Sequence, residues 1–276
     1  MKNQVFIVFD SLRWDLFKSA NLPYLKSLGR WKKAYTPGLY TLPAHMSFFA
    51  GKLPSTFDQE DYYDTIATRF DRKRNLPYRD SKQLWRLAGP EMSRPARFIV
   101  QGESIIEGFR EQGFLTIGTG GVNWFNPDLR AGKLLTAHFE KFRFFGGPNH
   151  ASHVSSEKQV AWVLEELHPT KERPYFLFIN FGETHHRYLY RGCPWYNAQD
   201  PYGNTKECKR RQRSCIAFLE RQVEKLLSQL SNYDLVICSD HGDAMGENGL
   251  WGHGFYHRKV IEVPLLIRLD QENGET

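Results

Sequence analysis

"QVFIVFD", residues 4–10, decides the fold. Five apolar side chains, Val5 to Phe9, follow one another without a polar break, and the run stops at Asp10. A strand with one wet face alternates apolar and polar residues, whereas a short unbroken run belongs to a strand covered on both faces, as in a parallel sheet. Four further runs have this character: FLTIG (114–118), PYFLFINF (174–181), YDLVIC (233–238) and VPLLI (263–267). Helical stripes lie between the later ones. Val160, Val163, Leu164 and Leu167 recur at i, i+3, i+4 and i+7 behind a capping-box-like Ser156 and Gln159; Ile216, Leu219, Val223, Leu226, Leu227 and Leu230 form a second stripe. Strands alternating with helices predict an α/β fold, a three-layer α/β/α sandwich around a mostly parallel sheet. Residues 1–276 read as one domain, with the charged, proline-containing and aperiodic stretch 52–100 as an insertion or lid over one end of the sheet.

Composition agrees with a globular chain that has a sizeable core: 276 residues, 41% hydrophobic and 25% charged. No run reaches the roughly eighteen apolar residues a membrane helix needs, so no membrane segment is expected. The opening MKNQVFIVFDSLRWD has too short an apolar stretch and no small-residue cleavage site for a signal peptide, which predicts a cytoplasmic protein. Cys193, Cys208, Cys215 and Cys238 have no zinc-site spacing; they are expected to be free thiols, with a local disulfide among the first three as the alternative. The net charge of +6 gathers in RFDRKR (69–74) and KRRQR (209–213). Neither cluster carries a nucleic-acid motif, so both read as solvated surface and nucleic acid is not expected as a partner. TIGTGG (116–121) is not a dinucleotide fingerprint, because the third glycine of that motif would fall at Asn123.

Ligands of an open α/β sheet bind beyond the carboxyl ends of its strands. Polar residues collect there. The first strand ends at Asp10; YDLVIC runs into Ser239, Asp240 and His241; PYFLFINF runs into Glu183, His185 and His186. Carboxylate oxygen with imidazole nitrogen suits zinc, manganese or iron rather than calcium. In YTLPAHMSFFAG (40–51), Thr41 reads as the N-cap of a short helix with Pro43 in its first turn. A hydroxyl at a helix N-terminus lies where backbone N–H groups favour negative charge, and metal coordination would turn it into an alkoxide nucleophile.

These segments together resemble the alkaline phosphatase/sulfatase superfamily. FIVFDSLRWD looks like its opening strand and first metal-binding Asp, YTLPAHMSFFAG like its nucleophile segment, THHRY like its His-x-Pro-Tyr element, and SDHGDAMGENGLWGHG with VPLLIRL like its C-terminal metal segment. The resemblance implies an alkaline-phosphatase-like fold in which Asp10, Asp240 and His241 bind one divalent metal, most suitably zinc, with Thr41 as nucleophile and fourth ligand. His253 would contact substrate or a second metal, and His185 would sit on the leaving-group side. His45 stands where sulfatases carry an arginine and would touch the anionic oxygens of the substrate. Asp243 and Glu247 read as supporting or solvent-exposed residues. A second metal would draw on Glu183, on His185 or His186, and on His253.

Thr41 stands where sulfatases carry the Cys or Ser that becomes formylglycine, and Arg187 replaces the usual proline. The expected activity is therefore hydrolysis or transfer of a small anionic phosphate or phosphonate ester through a covalent Thr41 intermediate. The alternatives are a sulfate-ester hydrolase and a non-catalytic protein that binds metal or nucleic acid.

Overall fold

A computed structural model describes residues 1–51, 104–147, 155–168 and 173–269, together with the backbone at 70–71 and 76–77. Its strands are β1 (Asn3–Phe9), β2 (Lys32–Tyr35), β3 (Phe70–Asp71), β4 (Leu76–Pro77), β5 (Leu115–Gly120), β6 (Lys141–Phe144), β7 (Tyr175–Phe181), β8 (Tyr233–Ser239), β9 (Ala244–Met245), β10 (Trp251–Gly252) and β11 (Glu262–Arg268). Seven of them form one sheet in the order β2-β11-β8-β1-β7-β5-β6. From β8 to β6 every pair is parallel, while β11 runs antiparallel to both β8 and β2. The five apolar runs each supply one of these strands, and β7 is buried along its whole length, as two-sided cover demands.

Alternation along the strands sorts side chains into two cores. On one face Val5, Ile7 and Phe9 of β1 meet Leu177, Ile179 and Phe181 of β7 beneath the helices Ser155–Leu167 and Thr205–Leu227. On the other, Val8, Phe176 and Phe178 pack under the helix Thr41–Ala50, with Ile106, Ala131 and Leu135 from the helices Ile105–Glu111 and Arg130–Thr136. Helix, sheet and helix make the three layers. Long helical stripes are amphipathic because one side faces this core; burying each Leu or Phe stabilises by about 1.5–3 kcal/mol.

Two local readings change. Thr41 is the first helical residue, and Tyr40, whose side chain makes no capping bond, is the N-cap. Ser156 lies inside its helix, where Ser155 Oγ and the Ser156 N–H both donate to Glu183 Oε1, at 3.1 and 2.8 Å. A carboxylate from the end of β7 does there what a capping box would have done. A complete capping box occurs instead at Ser104 and Glu107. Residues 52–100 lie outside the described residues except for the hairpin backbone of β3 and β4. All four cysteines are free and buried. Among the described residues no helix is long and apolar enough to cross a membrane.

The glycines of β5 admit close packing. A Cβ at Gly120 would stand 2.4 Å from Phe125 Cβ, because the short turn Asn123–Phe125 lays that ring directly on the strand. Gly120→Ala should therefore destabilise the fold by about 1–3 kcal/mol, the usual cost of overpacking a dense core. Chemical denaturation of the variant against wild type measures it.

Candidate metal centre

β1 and β8 are neighbours with Phe9 opposite Ser239, so the next residues, Asp10 and Asp240, emerge side by side. Both are fully buried. Ser11, at φ 60°, turns the chain sharply and directs its N–H to Asp240 Oδ1 at 3.0 Å; the His241 N–H donates to the same oxygen at 2.9 Å. Asp240 Oδ2 has no hydrogen-bond partner. His241 Nδ1 donates to the Gly242 carbonyl at 3.0 Å, which fixes the tautomer and leaves the Nε2 lone pair pointing inward. That Nε2, also without a hydrogen-bond partner, lies 3.5 Å from Asp240 Oδ2 and 3.9 Å from Asp10 Oδ1. Thr41 Oγ1 reaches Asp10 Oδ2 at 3.3 Å.

One ligand atom from each of Asp10, Asp240 and His241 thus lies within 4.8 Å of the others. Burial and the neighbouring Asp10 charge push Asp240 well above the usual carboxylate range, and burial, with His253 close by, pulls His241 down to about 3. Two carboxylates forced together in a site that also keeps its imidazole neutral are what a divalent cation relieves. Buried unpartnered oxygen and nitrogen atoms, with a hydroxyl alongside, fit such an ion.

A second cluster adjoins the first. His241, Asp243 and His253 also bring ligand atoms within 4.8 Å of one another. Asp243, read from the sequence as supporting or exposed, is 2% exposed and accepts from His253 Nδ1 at 2.6 Å. Burial opposes its charge, yet the imidazoles of His253, His185 and His241 hold it at about 2. Its carboxylate raises His253 in return, against the effect of burial. The spacing Asp240-His241-Gly242-Asp243 was the available signal; the turn that folds Asp243 inward was not. At Gly242 a Cβ would stand 2.2 Å from the Lys259 carbonyl oxygen, and Gly252 and Gly254, both at positive φ, flank His253.

The remaining candidates divide. His185 meets the partly exposed His253, ring centroids 5.5 Å apart, and His253 meets His241 at 4.3 Å. His186 instead donates through Nε2 to Asp200 at 2.7 Å. Glu183 Oε1 is held at the head of the Ser155–Leu167 helix, and among the described residues the ligand atoms gathered with His253 are those of His241 and Asp243, not of Glu183 or His186. His45 is fully buried, with Nδ1 donating to the Thr41 carbonyl at 2.7 Å and its ring edge-on to Phe48, Phe125 and Phe178. It stands beneath the nucleophile's helical turn, in an aromatic setting that holds it at about 4 by burial.

Sequence reading missed Arg13. This buried guanidinium bonds Asp15 at 2.8 Å and Glu247 at 2.9 Å and donates to the Asp243 carbonyl at 3.3 Å, tying the β1 turn to the metal loop. Lys209 of the basic cluster 209–213 pairs with Glu247, and Arg210 and Arg211 pair with Glu207. Cluster 69–74 is outside the described side chains.

A three-layer α/β/α arrangement around a mostly parallel sheet, with carboxylate, imidazole and hydroxyl groups gathered at the sheet's carboxyl edge, is an alkaline-phosphatase-like fold. The chain belongs to the sulfatase family, whose model, described as Sulfatase, matches residues 2–275. It is similar to a choline-sulfatase of Rhizobium meliloti (strain 1021), 24% identical over 330 residues, covering 96% of this chain and 62% of that protein; the chain thus spans less than two thirds of this curated relative. Among solved structures it is similar to the periplasmic domain of a phosphoethanolamine transferase from Campylobacter jejuni (10% identical, TM-score 0.65, covering 97% of this chain and 79% of that one). It is also similar to a phosphonate monoester hydrolase of Agrobacterium radiobacter (11% identical, TM-score 0.64, covering 97% and 68%). At these identities the structural likeness concerns the fold.

Two measurements follow from the site. Asp240→Asn should weaken divalent-metal binding at least about tenfold, read by elemental analysis after dialysis; undiminished metal would remove Asp240 from the site. For Glu247, burial works against the charge but the bond to Arg13 holds it at about 2, below its ordinary 4.5. A depressed carboxylate stabilises fully above its unfolded value and loses that contribution as pH falls towards the folded one. Glu247→Gln should therefore be less stable at neutral pH and show a flatter stability profile between pH 4.5 and 2, measured by thermal unfolding across that window.

Proposed function

We propose that the protein hydrolyses or transfers a phosphate or phosphonate ester through a covalent Thr41 intermediate. One observation carries this reading: Thr41 Oγ1 stands at the head of a helix, 3.3 Å from Asp10 Oδ2, beside the buried Asp10, Asp240 and His241. A threonine cannot become the formylglycine of sulfatases, which favours phosphorus over sulfur at the centre attacked.

The residues suggest the order of events. The Thr41 hydroxyl gives its proton to Asp10 Oδ2 as its oxygen attacks phosphorus in line. The Thr41 oxygen–phosphorus bond forms as the bond to the leaving oxygen breaks. His253, whose affinity for a proton the Asp243 carboxylate raises, would stand with His185 on the leaving side and protonate the departing oxygen. Water then attacks phosphorus, its proton returning to the imidazole, and Thr41 leaves with the proton held at Asp10. In a transferase an acceptor hydroxyl or amine takes the place of water. A divalent metal held by Asp10, Asp240, His241 and Thr41, zinc being the ion these donors suit best, would lower the Thr41 hydroxyl pKa and offset the charge on the anion.

Thr41→Ala should reduce turnover at least about a thousandfold while metal content and unfolding temperature stay near wild type. Model phosphomonoesters, phosphodiesters, phosphonate monoesters and sulfate esters form the substrate panel. A Thr41→Ala protein as active as wild type would remove the nucleophile, and turnover confined to sulfate esters would remove the phosphorus assignment.

A further inference from the structure

Asn180 is a polar residue inside an otherwise apolar strand, and the sheet determines where it points. Along β7, Tyr175, Leu177, Ile179 and Phe181 belong to the core under the helices Ser155–Leu167 and Thr205–Leu227, whereas Phe176 and Phe178 belong to the core under Thr41–Ala50. Alternation puts the Asn180 side chain on the second side, the side of Thr41 and His45. In register it lies opposite Val8 of β1, two residues before Asp10, and opposite Gly120 of β5. Gly120 has no side chain, and Phe125 fills the space above it. Phe125 and Phe178 both pack edge-on against His45, with centroids 4.9 and 5.7 Å away. Asn180 therefore occupies the carboxyl-end corner of this core, where Asp10 and the first turn of the Thr41 helix meet.

The residue is completely buried, yet neither its Oδ1 nor its Nδ2 has a hydrogen-bond partner. His45 Nε2 is likewise without one. An amide unsatisfied at both ends is costly in a folded core, and a leucine would fill the same volume without that cost. The Thr41 helix, whose first N–H groups have no partner within the helix, covers the same side of the sheet as the Asn180 side chain. Neutral donors of these kinds bind a tetrahedral oxyanion. The His45 Nδ1 is committed to the Thr41 carbonyl, so this ring is held beneath the helix head.

We propose that Asn180 is a substrate-binding residue whose Nδ2 amide donates to a non-bridging oxygen of the tetrahedral ester that Thr41 attacks. This rests on the reading of Thr41 given above. It assigns the neutral end of the anion pocket, opposite the charged end formed by Asp10, Asp240 and His241.

The test compares metal-loaded wild type with Asn180→Leu and Asn180→Asp. The first matches the side chain in size and removes both polar atoms; the second keeps the shape and replaces the donor with a carboxylate oxygen. Asn180→Leu should lose about a hundredfold in kcat/KM on the best ester, lose the upward shift in unfolding temperature that inorganic phosphate gives wild type, and unfold at a temperature equal to or above wild type without phosphate. Asn180→Asp should lose at least as much activity. A folded Asn180→Leu protein that keeps kcat/KM within threefold and still responds to phosphate overturns the assignment. Should Asn180→Leu not fold, Asn180→Asp with wild-type kcat/KM and phosphate response overturns it equally. Failure of the Thr41 reading looks different: Thr41→Ala then turns over the panel like wild type, whatever the Asn180 variants do.

Discussion

Two carboxylates are buried against each other at the ends of adjacent strands, and the surrounding structure is organised to keep them there. Asp10 and Asp240 are both fully buried, so bulk solvent does not screen their repulsion, and Ser11 and His241 spend their N–H groups on a single Asp240 oxygen. The other oxygen and the His241 Nε2 are left facing inward. Like charges can be held so close only by a rigid frame, and the parallel β7-β1-β8 ladder is that frame. Arg13 braces it from outside by linking the turn after β1 to Asp15, Glu247 and the Asp243 carbonyl. The cation that would relieve the repulsion is thereby selected for charge and for oxygen and nitrogen donors together.

Much of this was legible before any coordinates. Unbroken apolar runs announce strands covered on both faces, and a strand that ends in Asp or Asp-His announces where its ligands go. Thr41 was misplaced by one position because Tyr40 caps the helix with its backbone conformation rather than its side chain, which residue preference does not encode. Glu183 was legible as a strand-end carboxylate, but its destination depends on a helix that begins 28 residues earlier in the chain. Asp243 was hidden because only the folded loop turns it inward onto His253. Asn180 gave no signal at all: one polar letter in an apolar run reads as a tolerated core residue until the orphaned amide is seen.

The relatives illustrate why a fold and a ligand set do not name a substrate. A choline-sulfatase shares the chain's sequence pattern, while a phosphoethanolamine transferase and a phosphonate monoester hydrolase share its fold. Tetrahedral sulfur and phosphorus esters present nearly the same shape and differ in charge, so a common scaffold serves both and discrimination falls to individual side chains. In the reading proposed for this chain, those are the Thr41 hydroxyl and the Asn180 amide.

The centre also dictates when it can exist. The Ser11 N–H and the Asp240 carboxylate it grips are 229 positions apart in the chain. The segment containing Asp10 and Thr41 is synthesised before β7 and β8, the two strands that flank β1 in the sheet. Contacts of such separation form late and slowly, and an unpaired parallel strand with an apolar surface invites aggregation in the interval. A metal held by Asp10, Asp240 and His241 would find its ligands in one place only after the β1–β8 pair had closed.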